Sequence, residues 1–322
     1  MSEQAKIIVV AGARGNLGKL VCEALLSRAR ATGHSVVVRG LVRKSGVHAA
    51  PAASASDAQQ LVIEPIDYDS AADLERVCTT ATTVVSALQG HTDVIVDAQS
   101  RLLAAAIKSG VRRFVPSDYS LDFTKLPEGA NRNFDTRRAF HRKADEMIRT
   151  AKSSIELTSV FQGAFTELLG SGWMLLDYKK RRVGYFGSAD TVMEFTTTPN
   201  TAEYTAAVAL DPNPTPKRLL IAGARLTPKQ MQQLATRVTG ADFGLKRLMS
   251  IGMLQFVIGV MRFFKPGKGE LMPMWVGMQY AYCMALGIAS PDHLDNDRYQ
   301  SIQWTVPDEV IRKAFDAQAA TS

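Results

Sequence analysis

Cysteine is scarce in this chain: Cys22, Cys78 and Cys283 lie far apart and form no CxxC pair. That excludes a disulfide framework and gives no footing to a zinc site. No apolar run reaches the roughly 20 residues of a membrane-spanning helix. The longest, Met249–Met261, contains two glycines, is flanked by Lys246, Arg247 and Arg262, and is read as a buried helix. The first residues, Met1–Lys6, lack the charged and apolar regions of a secretory signal, so a reducing, cytoplasmic location and no membrane partner are expected. Zinc-finger spacing and a recognition helix are missing too, so no nucleic-acid partner is expected despite a net charge of +7. Such a charge serves equally well to attract a phosphorylated cofactor.

What is present describes a globular enzyme-sized chain. Its 322 residues are 46% apolar and 21% charged, enough for a large core but long for a single one, so two lobes are expected. From residue 6 to about 160, short β-branched runs alternate with amphipathic stretches, the pattern of βαβ units and a parallel sheet. Strands are read at Lys6–Ala11, Ser35–Val42, Leu61–Ile66, Thr83–Leu88, Arg113–Pro116 and Ile155–Val160. Helices are read at Leu17–Ala31, Ala71–Cys78, Asp93–Ser109 and Thr136–Ala151. The stretch Lys44–Gln60, small and polar with a proline, is read as a mobile surface loop. The fold class is therefore α/β, a Rossmann-type doubly wound parallel sheet over residues 1–160 with a smaller α+β substrate domain over 161–322. A strand-like run at Arg218–Ala222 is placed to rejoin the first sheet.

The chemistry gathers at the carboxyl ends of those strands, the edge where open α/β sheets bind ligands. Directly after the first strand comes Gly12-Ala13-Arg14-Gly15-Asn16-Leu17-Gly18, a GxxGxxG turn opening a helix. Its glycines allow a tight turn, close backbone approach to pyrophosphate and close helix–strand packing, and the helix start offers N–H groups to phosphate. The second strand ends in Arg43 and Lys44, where an NAD site usually places an acid for the ribose hydroxyls. With Arg14, these cations suit the 2′-phosphate of NADPH, or else are solvated loop charges. By position, Asp67 falls where adenine would lie, and Ser86, Ala87 and Gln89 fall on the ribose and nicotinamide side. Ser117 and Asp118 end the fifth strand and are expected to face the cofactor.

On the helix that follows, Phe140, Ala144, Met147 and Ala151 form an inward stripe bordered by Lys143. Spacing leaves Lys143 either a snorkelling surface cation or a group facing the cleft, and favours the former. His141 reads as a surface histidine. Methionines and aromatics between Met249 and Trp275 are either an adaptable apolar pocket or core packing, the latter being favoured for most of them.

The segments GARGNLG, LVR and RRFVPSDYSLDF, together with Lys143 through Ile155-Glu156-Leu157-Thr158 to Phe165, resemble the NmrA-like and isoflavone-reductase-like group of atypical short-chain dehydrogenases. The resemblance runs through most of residues 6–240. It implies NADPH as cofactor and a catalytic lysine near the nicotinamide, fifteen residues before a threonine, a spacing that Lys143 and Thr158 reproduce. The chain departs from the plant reductases, which resemble PSEFG at Pro116–Ser120, and it lacks the YxxxK pair of ordinary short-chain dehydrogenases. The resemblance implies an NADPH-dependent reductase of a small aromatic, quinone-like or enone substrate. Some members instead bind the dinucleotide as non-catalytic redox sensors, so the alternative is an NADP(H)-binding regulatory protein. A homodimer or a regulatory protein partner is compatible with either.

Overall fold

The computed structural model describes residues 5–44, 59–171 and 175–319; most of the expected loop at 44–60 lies outside them. Along the chain run β1 Lys6–Ala11, α1 Asn16–Thr32, β2 Val36–Arg43, β3 Gln59–Ile66, α2 Ala71–Cys78, β4 Ala81–Ser86, a π-helical stretch Asp93–Ala98, α3 Gln99–Lys108, β5 Arg113–Val115, α4 Arg132–Thr150, β6 Glu156–Leu157 and β7 Ser159–Phe161. There follow β8 Ala164–Phe165, α5 Glu167–Gly170, β9 Leu176–Asp177, β10 Arg182–Phe186, β11 Met193–Thr196, α6 Thr198–Leu210, β12 Arg218–Leu220, β13 Ala224–Leu226, α7 Pro228–Thr239, β14 Gly244–Met249, α8 Ile251–Phe264, α9 Met274–Leu286 and α10 Asp308–Ala319.

Two compact units emerge, residues 1–118, 136–160 and 201–219 in the first and residues 119–135, 161–200 and 220–322 in the second. The first is a six-stranded sheet in the order β3-β2-β1-β4-β5-β6, every pairing parallel. Parallel strands covered on both faces must be apolar nearly throughout, and Ile8, Val9, Val10 and Ala11 of β1 are accordingly buried. Helix α4 lays Phe140 and Ala144 on this core, with Phe140 beside Phe114 at 6.3 Å between ring centroids. Met147 and Ile148 complete the stripe, whereas Ala151, expected in it, is exposed because the helix has ended.

The expected strand at 155–160 divides in two. Thr158 N–H still bonds Phe114 O, but Ser159 N–H bonds Lys217 O, so the chain changes partner at this point and β7 pairs with β12. The run near 218 therefore does not join the six-stranded sheet. Buried Arg113 anchors this corner: its guanidinium bonds Glu156 Oε2 at 2.6 and 2.8 Å and the carbonyls of Val208, Asp211 and Asn213. A buried cation is tolerable because its donors are satisfied.

In the second unit, β10 runs parallel to β14 and antiparallel to β9, and β11 lies antiparallel to β13 and parallel to β8. Its core centres on Phe123, Phe134, Phe161 and Phe195. Helix α7 begins with Pro228 inside a capping box of Thr227 and Gln230, each side chain satisfying the other's free N–H.

Candidate functional site

Gly12 follows β1 with φ of +81°, a left-handed conformation that only glycine adopts freely. Gly15 N–H then closes the turn on Gly12 O at 2.9 Å, and Ala87 N–H reaches back to Ala11 O. Packing here leaves no room for side chains. A Cβ at Gly12 would stand 2.6 Å from Ala87 O, and one at Gly18 would stand 2.1 Å from Gly12 O. Gly40 on β2 belongs to the same device, since a Cβ there would meet that of Ala13 at 2.9 Å. Helix α1 starts from Gly15 with no side-chain cap and no acid in its first turn. Its first N–H groups and the positive end of its dipole are thus left to an external anion.

The basic end of β2 divides its labour. Lys44 Nζ lies 2.6 Å from Asp73 Oδ2, drawn to the start of α2, whereas exposed Arg43 has no ion-pair partner among the described residues. Asp67 is spent on its own turn: its N–H bonds Asp73 Oδ2 and its Oδ1 accepts Asp69 N–H, both at 2.9 Å. Next to it stands Tyr68, which sequence reasoning passed over. Burial pushes its phenol up in pKa, opposed by the Arg43 charge and the nearby Gly12 backbone. Tyr68 thus packs beneath the glycine turn, a role that only its aromatic bulk after β3 signals.

At the ends of β4 and β5, Ser86 is fully buried and its Oγ has no hydrogen-bond partner among the described residues, Ala87 is half-buried and Gln89 exposed. Ser117 does not turn its hydroxyl outward as expected; it donates to Leu88 O at 2.7 Å, while its N–H bonds Gln99 Oε1 and its carbonyl accepts Arg137 Nε. The hydroxyl is used to tie β4 to β5. Asp118 is equally withdrawn, with its carboxylate fully buried, accepting Ser159 Oγ at 2.7 Å and lying 2.6 Å from His141 Nε2.

That contact corrects the reading of His141 as a surface residue: only 16% of its side chain is exposed. Burial alone would lower its pKa, but the Asp118 carboxylate outweighs this and raises it. Asp118 mirrors it: burial alone would raise its pKa, and the His141 charge and hydrogen bond, with Ser159 and Arg137, bring it below the usual carboxylate range. Nothing in the 23-residue separation of the two announces such a pair.

Two residues along α4, Lys143 is about half exposed and its Nζ lies 3.5 Å from Asp97 Oδ1 on the π-helical stretch. The distance is that of an ion pair rather than a firm hydrogen bond, so Asp97 guides the ammonium without immobilising it. Local π-helical turns commonly mark functional positions, and this one brings Asp97 to α4 and leads into Gln99, which holds Ser117. Lys143 is in this way linked through α4, Arg137 and Ser117 to the strand ends that carry the glycine turn. No cluster of His, Cys, Asp or Glu fit for a metal occurs among the described residues.

Comparison with known proteins gives consistent results. The sequence profile of the NmrA-like family matches residues 4–261. A protein of Metarhizium robertsii named oxidoreductase swnN is 24% identical over 305 residues, spanning 82% of this chain and 84% of its own length. Its namesake in Arthroderma benhamiae is 26% identical over 194 residues, 56% of this chain and 59% of its own. Among solved structures, AtPrR2 with NADP+ and (+)-pinoresinol superposes with a TM-score of 0.71 at 20% identity, over 97% of this chain and 99% of that one. Isoflavone reductase does so with 0.71 at 16% identity, over 96% and 99%. The complex of leucoanthocyanidin reductase and NADPH from Vitis vinifera gives 0.69 at 14%, again over 96% and 99%. At such identities the structural likeness is one of fold.

Proposed function

The chain belongs to the NmrA-like family, and from that premise we propose that it is an NADPH-dependent oxidoreductase reducing a small aromatic, quinone-like or enone substrate, with Lys143 as its catalytic residue. The observation that carries the reading is the uncapped start of α1 behind a turn with no room for a side chain at Gly12 or Gly18, with exposed Arg43 at the end of the neighbouring strand. A dinucleotide phosphate is what such a cradle suits; Ser86, whose hydroxyl is covered by protein, adds nothing to it. A small organic substrate of this class is supported by AtPrR2, a structural relative that holds NADP+ together with (+)-pinoresinol.

NADPH, when bound, supplies a hydride to the substrate. The residues of the chain do the rest. N–H groups of Asn16, Leu17 and Gly18 would hold the pyrophosphate, and Arg43 would pair with the 2′-phosphate through charge-assisted hydrogen bonds. The neighbouring Lys44 is not required for this step, being already engaged by Asp73. The ammonium of Lys143, steered by Asp97, polarises the substrate and delivers the proton that balances the hydride. Its half-exposed position lets it regain that proton from water.

The same exposure supports a second reading, a dinucleotide sensor without turnover, since a catalytic lysine usually works where water is excluded. An assay of NADPH consumption against quinones, enones and aryl ethers separates the two. Consumption matched by reduced product supports the reductase. Tight NADPH binding with no turnover across the panel supports the sensor.

A further inference from the structure

Helix α8, expected to be buried, fully buries only Leu254 and Ile258, packed with Phe186, Met278 and Ala281, with Ile251, Val257 and Met261 partly covered beside them. Its opposite face carries a second apolar stripe at helical spacing: Met253, Phe256, Val260, Phe263 and Phe264 are exposed by 53, 67, 39, 79 and 75%. Met274, 70% exposed, extends it beyond the helix. So large an apolar ridge is seldom left in water without a use. The ridge is also firmly held. Trp275 Nε1 donates to Pro266 O, Arg132 reaches the carbonyls of Glu270 and Leu271, and the Arg132 and Arg262 guanidiniums lie 5.2 and 5.6 Å from the Trp275 ring centroid.

Charge decides what covers it. Lys246, Arg247, Arg262, Lys265 and Lys268 surround the ridge, and within residues 244–274 the single acid is Glu270. A second copy docked by the same face would set these cations against their own images, which opposes an isologous interface. An apolar, aromatic stripe rimmed by cations is the pattern of a helix lying in the headgroup region of an anionic bilayer. We propose that α8 and the loop after it form a peripheral docking surface for anionic phospholipid membranes. Phe256, Phe263 and Phe264 enter the acyl boundary, and Lys265 and Lys268 meet the headgroup phosphates and carboxylates. No described helix is long and apolar enough to cross a membrane; the surface lies on the bilayer. An apolar substrate dissolved in that bilayer would then reach the protein without passing through water.

The test is flotation of the full chain with vesicles of phosphatidylcholine alone or mixed with phosphatidylserine, at low and at high salt. The variants are Phe263→Ser/Phe264→Ser and Lys265→Glu/Lys268→Glu, with circular dichroism to confirm folding, since neither pair replaces the buried Leu254 or Ile258. The expected result is association with the mixed vesicles only, weakened by salt and reduced roughly tenfold or more in each variant. Absence of association at low salt overturns the proposal, and so does association that both variants retain. A wild-type dimer that ignores vesicles and becomes monomeric on loss of the two phenylalanines assigns the ridge to a second copy and overturns it as well.

Discussion

At the scale of single residues, Arg43 and the His141–Asp118 pair carry the clearest consequences. Arg43 is exposed at the end of β2, so replacing it with alanine should leave stability nearly unchanged. One charge-assisted pair with a 2′-phosphate is worth about 1.5–3 kcal/mol. Calorimetric titration should then give wild type at least about a tenfold preference for NADPH over NADH, lost in Arg43→Ala; a preference that survives removes Arg43 from the phosphate site. The raised pKa of His141 gives stability that is complete below the ordinary histidine value and is lost as pH rises through the raised one. Asp118, held low, contributes above the ordinary carboxylate value and fades as pH falls through its lowered one. The ion pair therefore stabilises most between the two. Urea unfolding at about pH 6 and about pH 9 should show wild type losing more stability on going to the higher pH than His141→Gln does. Equal losses would mean that the pair contributes no charge to folding. These residues also mark a limit of sequence reading. The glycine turn was legible because its place between the first strand and the first helix has a fixed use, whereas Asp118, His141 and Tyr68 owe their surroundings to burial, which no local pattern displays.

At the scale of elements, the strands β1 to β5 were legible to within a few residues because buried parallel strands need continuous apolar runs. Helix α4 starts a turn earlier than expected, since buried Asn131 accepts the N–H groups of Asn133 and Phe134 at 2.9 and 3.3 Å and caps it. The short strands of the second unit, two to six residues long, left no periodicity to read. Helix α8 misled because its two faces are both apolar, and only packing tells which is covered. The turn between β1 and α1 yields a contrast between two glycines. A methyl at Gly18 meets backbone at 2.1 Å, whereas one at Gly15 meets Gly12 O at 3.2 Å on a backbone with φ of −68°. Gly18→Ala should cost about 1–3 kcal/mol as an overpacked site, visible as a fall of several degrees in Tm. Gly15→Ala should fold almost normally and bind NADPH at least about tenfold more weakly, because its methyl narrows the backbone approach to pyrophosphate. A Gly15→Ala protein that binds normally would move the phosphate site elsewhere.

At the scale of the whole molecule, a net charge of +7 raises the encounter rate with an anionic dinucleotide and with anionic surfaces alike. The proposed function stands or falls on what the protein does with NADPH, and Lys143 is where a reductase and a sensor part. Lys143→Met keeps the aliphatic stem over α4 and removes the charge, and its exposed pair with Asp97 contributes little to stability. The decisive measurement is steady-state turnover of this variant beside wild type on a substrate from the panel, with NADPH affinity determined for both. A group that acts mainly in the transition state predicts turnover lower by about 10²-fold or more with nearly unchanged affinity. Undiminished turnover would contradict the catalytic role given to Lys143.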